Sequence, residues 1–226
     1  VSTTSIIHAL KGLSFKNTFN PYVDRCPVHD TAQSPERRRH TLAQMLEQAH
    51  RVDLDAIWVG RDLGYRGGRR TGLALTDDVH FVDHLQRWNL PPQELTRGQP
   101  VAERTATVVW RVLHRICVPV LLWNVFPLHP FNEGDDFSNR AHNAQERVAG
   151  VNILARIVEH TNPCQIVAIG TDAFSALSAT LPHKQIRKVR HPSYGGQNEF
   201  LATMQSLYPE AVPMLAGLDQ VPAGKT

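Results

Sequence analysis

The apolar positions of the chain fall into two rhythms, and their alternation predicts its elements. From Ser34 to Val52 they recur at helical spacing, with Leu42, Met45, Leu46 and Ala49 on one face and Pro35 in the first turn. Asp55-Ala56-Ile57-Trp58-Val59 is a short unbroken run ending at Gly60, the pattern of a buried strand. Gly and Arg crowd Arg61 to Thr76, which reads as loop. Asp77 to Trp88 reads as a capped helix with two acids in its first turn. A proline-bearing loop, Pro91 to Pro100, leads into a helix from Glu103 to Cys117 that carries Val108, Val109, Val112 and Leu113. The second strand is Val118-Pro119-Val120-Leu121-Leu122-Trp123, with Pro119 tolerable only near its start. After a loop from Val125 to Asp136, Ser138 or Asn139 caps a helix of about Arg140 to His160. The third strand, Gln165 to Ile169, ends at Gly170, and Thr171 or Asp172 caps a helix of about Ala173 to Thr180. A more polar fourth strand, Ile186 to Arg190, runs into His191-Pro192, and a last helix spans Glu199 to Tyr208.

Short apolar runs alternating with helices predict a mainly parallel sheet covered on both faces. The fold class expected is therefore α/β: a three-layer α/β/α sandwich around a central, mostly parallel four-stranded sheet. A length of 226 residues suits one domain, 1–226, with the unperiodic stretch 214–226 as a loose tail. In such sheets, ligands bind beyond the carboxyl ends of the strands. Those ends carry Gly60-Arg61-Asp62, Asn124, Gly170-Thr171-Asp172 and His191-Pro192-Ser193. A carboxylate, an amide, a histidine and glycines are thus predicted to share one rim.

Charge adds a candidate partner. The net charge is +3, and basic residues cluster at Arg37-Arg38-Arg39, Arg66 to Arg70 and Lys184 to Arg190. A charge run is usually a solvated surface, but two of these flank the rim motifs, which suits a nucleic-acid face. No apolar run approaches the roughly 20 residues that span a bilayer. Val1 to Phe15 shows no signal-peptide pattern, so a cytoplasmic protein is expected. The three cysteines, Cys26, Cys117 and Cys164, are odd in number and scattered, which suits a reducing compartment. Cys117 and Cys164 border strands and are expected in the core. Cys26-Pro27-Val28-His29 is half a metal site without its second half, and His80 and His84 share a helix face without a third ligand, so no metal is expected. Gly67-Gly68-Arg69-Arg70 lacks the Lys-Ser/Thr of a phosphate-binding P-loop and reads as a loop near nucleic-acid phosphate.

The rim chemistry suits cleavage of an N-glycosidic bond. The sugar gains oxocarbenium character, so fixed negative charge helps, and a carboxylate can also hold the attacking water. Asp62 can do both. The departing base carries negative charge, which a donor such as His191 can meet. Asn124 can read a base edge, its carbonyl accepting from a ring N–H and its amide donating to a carbonyl. A base inside a duplex must first be flipped out, which calls for a wedge and phosphate contacts. Tyr194, Gly195, Gly196 and Gln197 form the candidate wedge, with Tyr194 or Gln197 filling the vacated space.

From Ala56 to about Phe200 the chain resembles the uracil-DNA glycosylase superfamily. Gly60-Arg61-Asp62 resembles the first family motif, Asp62 standing at the water-positioning acid. Thr71 to Leu75 resembles the stretch that delivers an aromatic ring beneath the flipped base, Asn124 the base-reading amide, and His191-Pro192-Ser193 the second signature. Trp123 to Arg140, with His129-Pro130, Gly134 and Ser138-Asn139, looks like the equivalent loop of the iron–sulfur branches. The resemblance implies Asp62 and His191 as the catalytic pair. It implies a base pocket of Gly60, Arg61, Leu63, Gly64, Tyr65, Leu75 and Asn124. DNA contacts are implied from Arg69, Arg70, Arg190, Pro192, Ser193, Tyr194, Gly195 and Gln197.

The departures from the family are informative. The uracil-specific branch has a Tyr where Gly64 stands, excluding thymine's methyl. An open position predicts weaker selectivity, by roughly 1–3 kcal/mol, with Tyr65 partly filling the gap. Leu63 replaces the usual Pro. Leu75 replaces the stacking Phe, so stacking is weaker or comes from Phe126 or Trp123. The iron–sulfur branches need four cysteines, so no cluster, and indeed no cofactor, is expected. The Arg-rich loop after Gly64 lacks the His-containing insert of the DNA-trapping branch, so no crosslink is expected. Without a lysine in the motifs, neither a Schiff base nor strand cleavage is expected. His129-Pro130 is a second His-Pro, but only His191 directly follows a strand-like run. Three readings stand: a monomeric, monofunctional DNA glycosylase on uracil and other deaminated bases; a non-catalytic lesion-binding protein; and an N-glycosidase on free nucleosides.

Overall fold

The computed structural model describes residues 1–210, so the expected tail at 214–226 lies outside the described residues. In chain order the elements are α1 (Thr3–Lys11), β1 (Thr18–Phe19), α2 (Ser34–Arg51), β2 (Ala56–Asp62), α3 (Gly68–Thr71), α4 (Phe81–Arg87) and α5 (Arg104–Leu113). They continue with β3 (Val120–Phe126), β4 (His129–Pro130), α6 (Ala144–Thr161), β5 (Gln165–Ile169), α7 (Thr171–Thr180), β6 (Ile186–Val189) and α8 (Gln197–Leu207). Four strands form one all-parallel sheet in the order β3-β2-β5-β6. β1 and β4 pair antiparallel in a separate two-stranded ribbon.

The unbroken apolar runs are explained by burial on both faces. Alternate side chains of each strand enter opposite cores. Ile57, Val59, Leu121, Trp123, Ile166 and Ala168 join α1, α2, α6 and α7 on one face. Ala56, Trp58, Val120, Leu122, Val167 and Ile169 join α5 and α8 on the other. The three-layer α/β/α sandwich follows. No helix among the described residues is long and apolar enough to cross a membrane.

Several local expectations are corrected. β2 and β3 each run three residues further than the sequence suggests, so Gly60 and Asn124 are paired inside the strands, and Asp62 closes β2 opposite Phe126. The segment after Asp62 is not all loop, because α3 forms within it. α4 begins only at Phe81; Asp77 precedes it and accepts from the backbone N–H groups of His80 (2.9 Å) and Glu103 (2.6 Å). Asn143, rather than Ser138 or Asn139, caps α6, accepting from the N–H groups of Gln145 and Glu146 in a capping box. Arg140 stays outside that helix because Glu146 and the Asn17 carbonyl hold its guanidinium. Cys117 and Cys164 are exposed, since each sits just before a strand rather than in it, while Cys26 is buried. Arg38 is also buried, paired with Asp30.

Candidate active site

β2 lies between β3 and β5, so the chain leaves β2 to one side and later returns on the other. Such a reversal of strand order opens a crevice beyond the strand ends. A cavity of about 470 Å³ lies there, within the size range of small-molecule sites. Its wall takes Arg61, Asp62, Leu63 and Gly64 from the end of β2, Gly170, Thr171 and Asp172 from the end of β5, and Arg190, His191, Ser193 and Tyr194 from beyond β6. Three of the four predicted rim groups thus meet in one cavity.

Asp62 is tightly held. The Arg61 Nε–H donates to its Oδ2 at 2.6 Å, and His142 bonds its Oδ1 through Nδ1. Arg61 also reaches Asp172 at 3.3 Å, across the mouth of the crevice. Both oxygens of the carboxylate are therefore oriented, with lone pairs left for a water.

His191 is half-buried and arrives in a defined form. Burial, then the charges of Arg61 and Arg190, lower its pKa, so the neutral ring is favoured. The Ser193 N–H donates to its Nδ1 at 3.2 Å, so the neutral ring carries its proton on Nε2 as a donor. Gly170, at φ +95°, lets the ring pack close: a Cβ there would lie 3.3 Å from the His191 Cβ.

Asn124 is almost wholly buried, and neither polar atom of its amide has a hydrogen-bond partner among the described residues. It needs Gly60 beside it, because a Cβ at Gly60 would lie 2.5 Å from the Asn124 Oδ1 and 3.2 Å from Leu75. Leu75 lines the cavity in a left-handed conformation, φ 54°. Such a φ is strained for a side chain with a Cβ, and the Trp110 Nε1–H holds its carbonyl at 3.1 Å. Asn124 itself is not among the residues of the cavity wall, unlike Leu75. Phe126 and Trp123 do not supply a replacement stacking ring; both are buried in the core beneath the sheet. Tyr65 does not fill the space beside Gly64 either: its N–H donates to Asn139 and its ring meets Arg66.

The residues expected to face DNA divide into two groups. Arg190, Tyr194 and Gly195 are exposed and Ser193 and Gln197 partly so, and Tyr194 stands 97% exposed with φ 52° at the cavity mouth. Pro192, in contrast, is buried and anchors the loop. Arg69 and Arg70 are a further correction, since both are buried rather than free to clamp phosphate. Arg69 stacks 3.9 Å over Phe19 and donates to His129 at 3.1 Å, and Arg70 pairs with Asp78 at 2.5 Å. The short helix α3 turns both inward. Of the two basic clusters that flank the rim, what stays exposed is Arg66 and the strand-end segment with Lys184, Arg187, Lys188 and Arg190. His80 and His84 also have local partners, Asp77 and Thr76.

Two site residues carried no signal in sequence. His142 sits in the linker before α6 and is brought to Asp62 only by the tertiary fold. Glu103 precedes α5 and lines the cavity. Burial, with repulsion from Asp77, pushes its pKa up to about 7. The only hint of it was Gly64 and Gly67, a turn without side chains that leaves room for something else.

The family model described as the uracil DNA glycosylase superfamily matches residues 51–213. No curated protein matches the chain in sequence. Among solved structures, that of wild-type SMUG2 from Pedobacter heparinus is similar, with a TM-score of 0.59 and 15% identity over 92% of this chain and 97% of that one.

Proposed function

The chain belongs to the uracil DNA glycosylase superfamily, and on that premise we propose that it is a monofunctional DNA glycosylase acting on uracil and other deaminated bases. Asp62 holds the water that attacks the sugar carbon and stabilises positive charge on the sugar. His191, neutral and protonated on Nε2, donates to the oxygen of the departing base. Asn124 reads the base edge. Tyr194 enters the duplex as the base leaves, and Arg190 meets the backbone. The product is an abasic site, because no lysine is among the described residues of the cavity wall to support strand cleavage.

The observation that carries this reading is the convergence of Asp62 and His191 on one cavity, beside a buried amide whose polar atoms find no partner among the described residues. Unpaired buried polar atoms are costly, and a ligand that pairs them recovers that cost. Nothing at the site favours a free nucleoside, whereas the exposed Tyr194 and the basic strand end suit a polymer. The test is a panel of oligonucleotides bearing uracil, thymine opposite guanine, hypoxanthine, xanthine or etheno-cytosine, single- and double-stranded, with alkaline cleavage of abasic sites. Alkali-labile product from uracil supports the reading; no product from any base at stoichiometric enzyme ends it. Turnover of deoxyuridine in place of polymer would favour the nucleosidase reading, and salt-dependent binding without base release the lesion-binding one.

A further inference from the structure

We propose that Glu103 determines base specificity: its carboxyl takes the space that Gly64 leaves open and donates a hydrogen bond to a carbonyl oxygen of the flipped base. This rests on the glycosylase reading above.

Geometry carries the inference. The main chain of Glu103 is fixed on both sides, its N–H donating to Asp77 Oδ2 at 2.6 Å and its carbonyl accepting from the Thr107 N–H at 2.9 Å. From there the side chain reaches the turn that follows Asp62. A Cβ built on Gly64 would lie 2.9 Å from one carboxyl oxygen, and a Cβ on Gly67 would overlap the other. The two glycines thus leave the room that the carboxyl fills rather than marking an empty wall. The space beside Gly64 is occupied, though by a residue about forty positions away in sequence.

The second observation is a missing partner. The Glu103 carboxyl lines the cavity and the residue is half-buried, yet among the described residues no group hydrogen-bonds to the carboxyl. A ligand that enters the cavity can pair with it. Its chemistry then selects the ligand. With a pKa near 7, a large share of the carboxyl is protonated at neutral pH, and the acid form offers one O–H donor and one acceptor. Deaminated bases present a carbonyl oxygen, whose second lone pair can accept from that O–H while Asn124 takes the ring N–H. Cytosine and adenine present an amino group at the same edge. The bulk of the carboxyl also stands where a methyl on the pyrimidine ring would intrude, so the reduced selectivity expected of an open Gly64 is offset.

The experiment measures single-turnover excision from DNA bearing uracil, thymine opposite guanine, or cytosine, with wild type, Glu103→Ala and Glu103→Gln. It adds binding to a duplex holding the non-cleavable 2′-fluoro-arabino analogue of deoxyuridine. Removing donor and bulk together, Glu103→Ala lowers the uracil rate about tenfold or more and lowers the uracil-to-thymine ratio by a similar factor. Glu103→Gln keeps a donor and the bulk, so the ratio holds while the uracil rate falls about threefold. Glu103→Ala also loses about tenfold of the preference for the analogue over undamaged duplex. A folded Glu103→Ala protein with wild-type ratios and wild-type preference overturns the inference. So does a Glu103→Gln protein that loses the ratio as fully as Glu103→Ala. A wild type that releases no base and shows no preference for the analogue instead overturns the glycosylase reading, and this inference falls with it.

Discussion

Two histidine–proline pairs occur in this chain, and the fold puts them to opposite uses. His129 is fully buried on the β1–β4 ribbon. Its Nδ1 accepts from Arg69 at 3.1 Å and its Nε2–H donates to the Ser138 carbonyl at 2.8 Å. Burial and the neighbouring Arg69 charge lower its pKa to about 4, so it is a neutral crosslink inside the protein. His191 is also kept neutral, but one ring nitrogen is taken by the Ser193 N–H and the other remains for the cavity it lines. The dipeptide alone distinguishes nothing. What differs is the sheet that presents it: the parallel sheet ends in the crevice beside β2, whereas the ribbon folds its histidine onto a stacked arginine.

The sharpest way to break this contrast is to remove chemistry on the rim. Asp62→Asn and His191→Ala each lower single-turnover excision of uracil by about 10²–10⁴-fold, the usual contribution of a positioned acid–base group. Thermal denaturation should show both variants folded. His129→Ala reverses the pattern. It leaves a buried arginine donor unpaired, which costs about 1–3 kcal/mol, or roughly 2–4 °C of Tm per kcal/mol for a domain of this size. Its excision rate, measured well below the transition, stays within about twofold of wild type, because His129 is not part of the cavity wall.

Acid titration sharpens the comparison further. Burial lowers His29 and His129 to about 4 and His84 to about 3. In the unfolded chain each takes up its proton near 6.5, so the unfolded state binds more protons between those values. Stability is therefore full above about pH 6.5 and is lost as pH falls, by about 1.4 kcal/mol per pH unit for each histidine. Urea melts from pH 7 to 4 measure the slope, and His129→Ala reduces it. The smallest expected effect has the opposite sign. Glu103 is raised to about 7, so the folded state binds the extra proton, and its contribution declines as pH rises from about 4.5 to 7. Glu103→Gln consequently raises Tm at pH 8 relative to wild type, by about 2–4 °C per kcal/mol recovered, and by much less at pH 4.5. Equal gains at both pH values would deny that the carboxyl is charged and buried at high pH.

The strands were legible in sequence because their burial on both faces leaves continuous apolar runs, Ala56 to Val59 and Val120 to Trp123 among them. Their parallel order then located the rim, and with it Asp62 and His191. What was not legible depends on contacts between distant segments. Arg69 and Arg70 look like solvated charges, and only the stacking on Phe19 and the pairing with Asp78 show otherwise. The cap of α6 shifted from Ser138 or Asn139 to Asn143 because Glu146 and Arg140 together complete a different box. His142 and Glu103 belong to no local pattern, and each enters the site through a loop closure.

The most direct measurement compares His191→Ala with His129→Ala in single-turnover release of uracil from one duplex, alongside their melting curves. The account predicts that His191→Ala keeps its Tm and loses about 10²-fold or more in rate, while His129→Ala loses Tm and keeps its rate. Equal rates in the two variants, or a wild-type rate in His191→Ala, would contradict it.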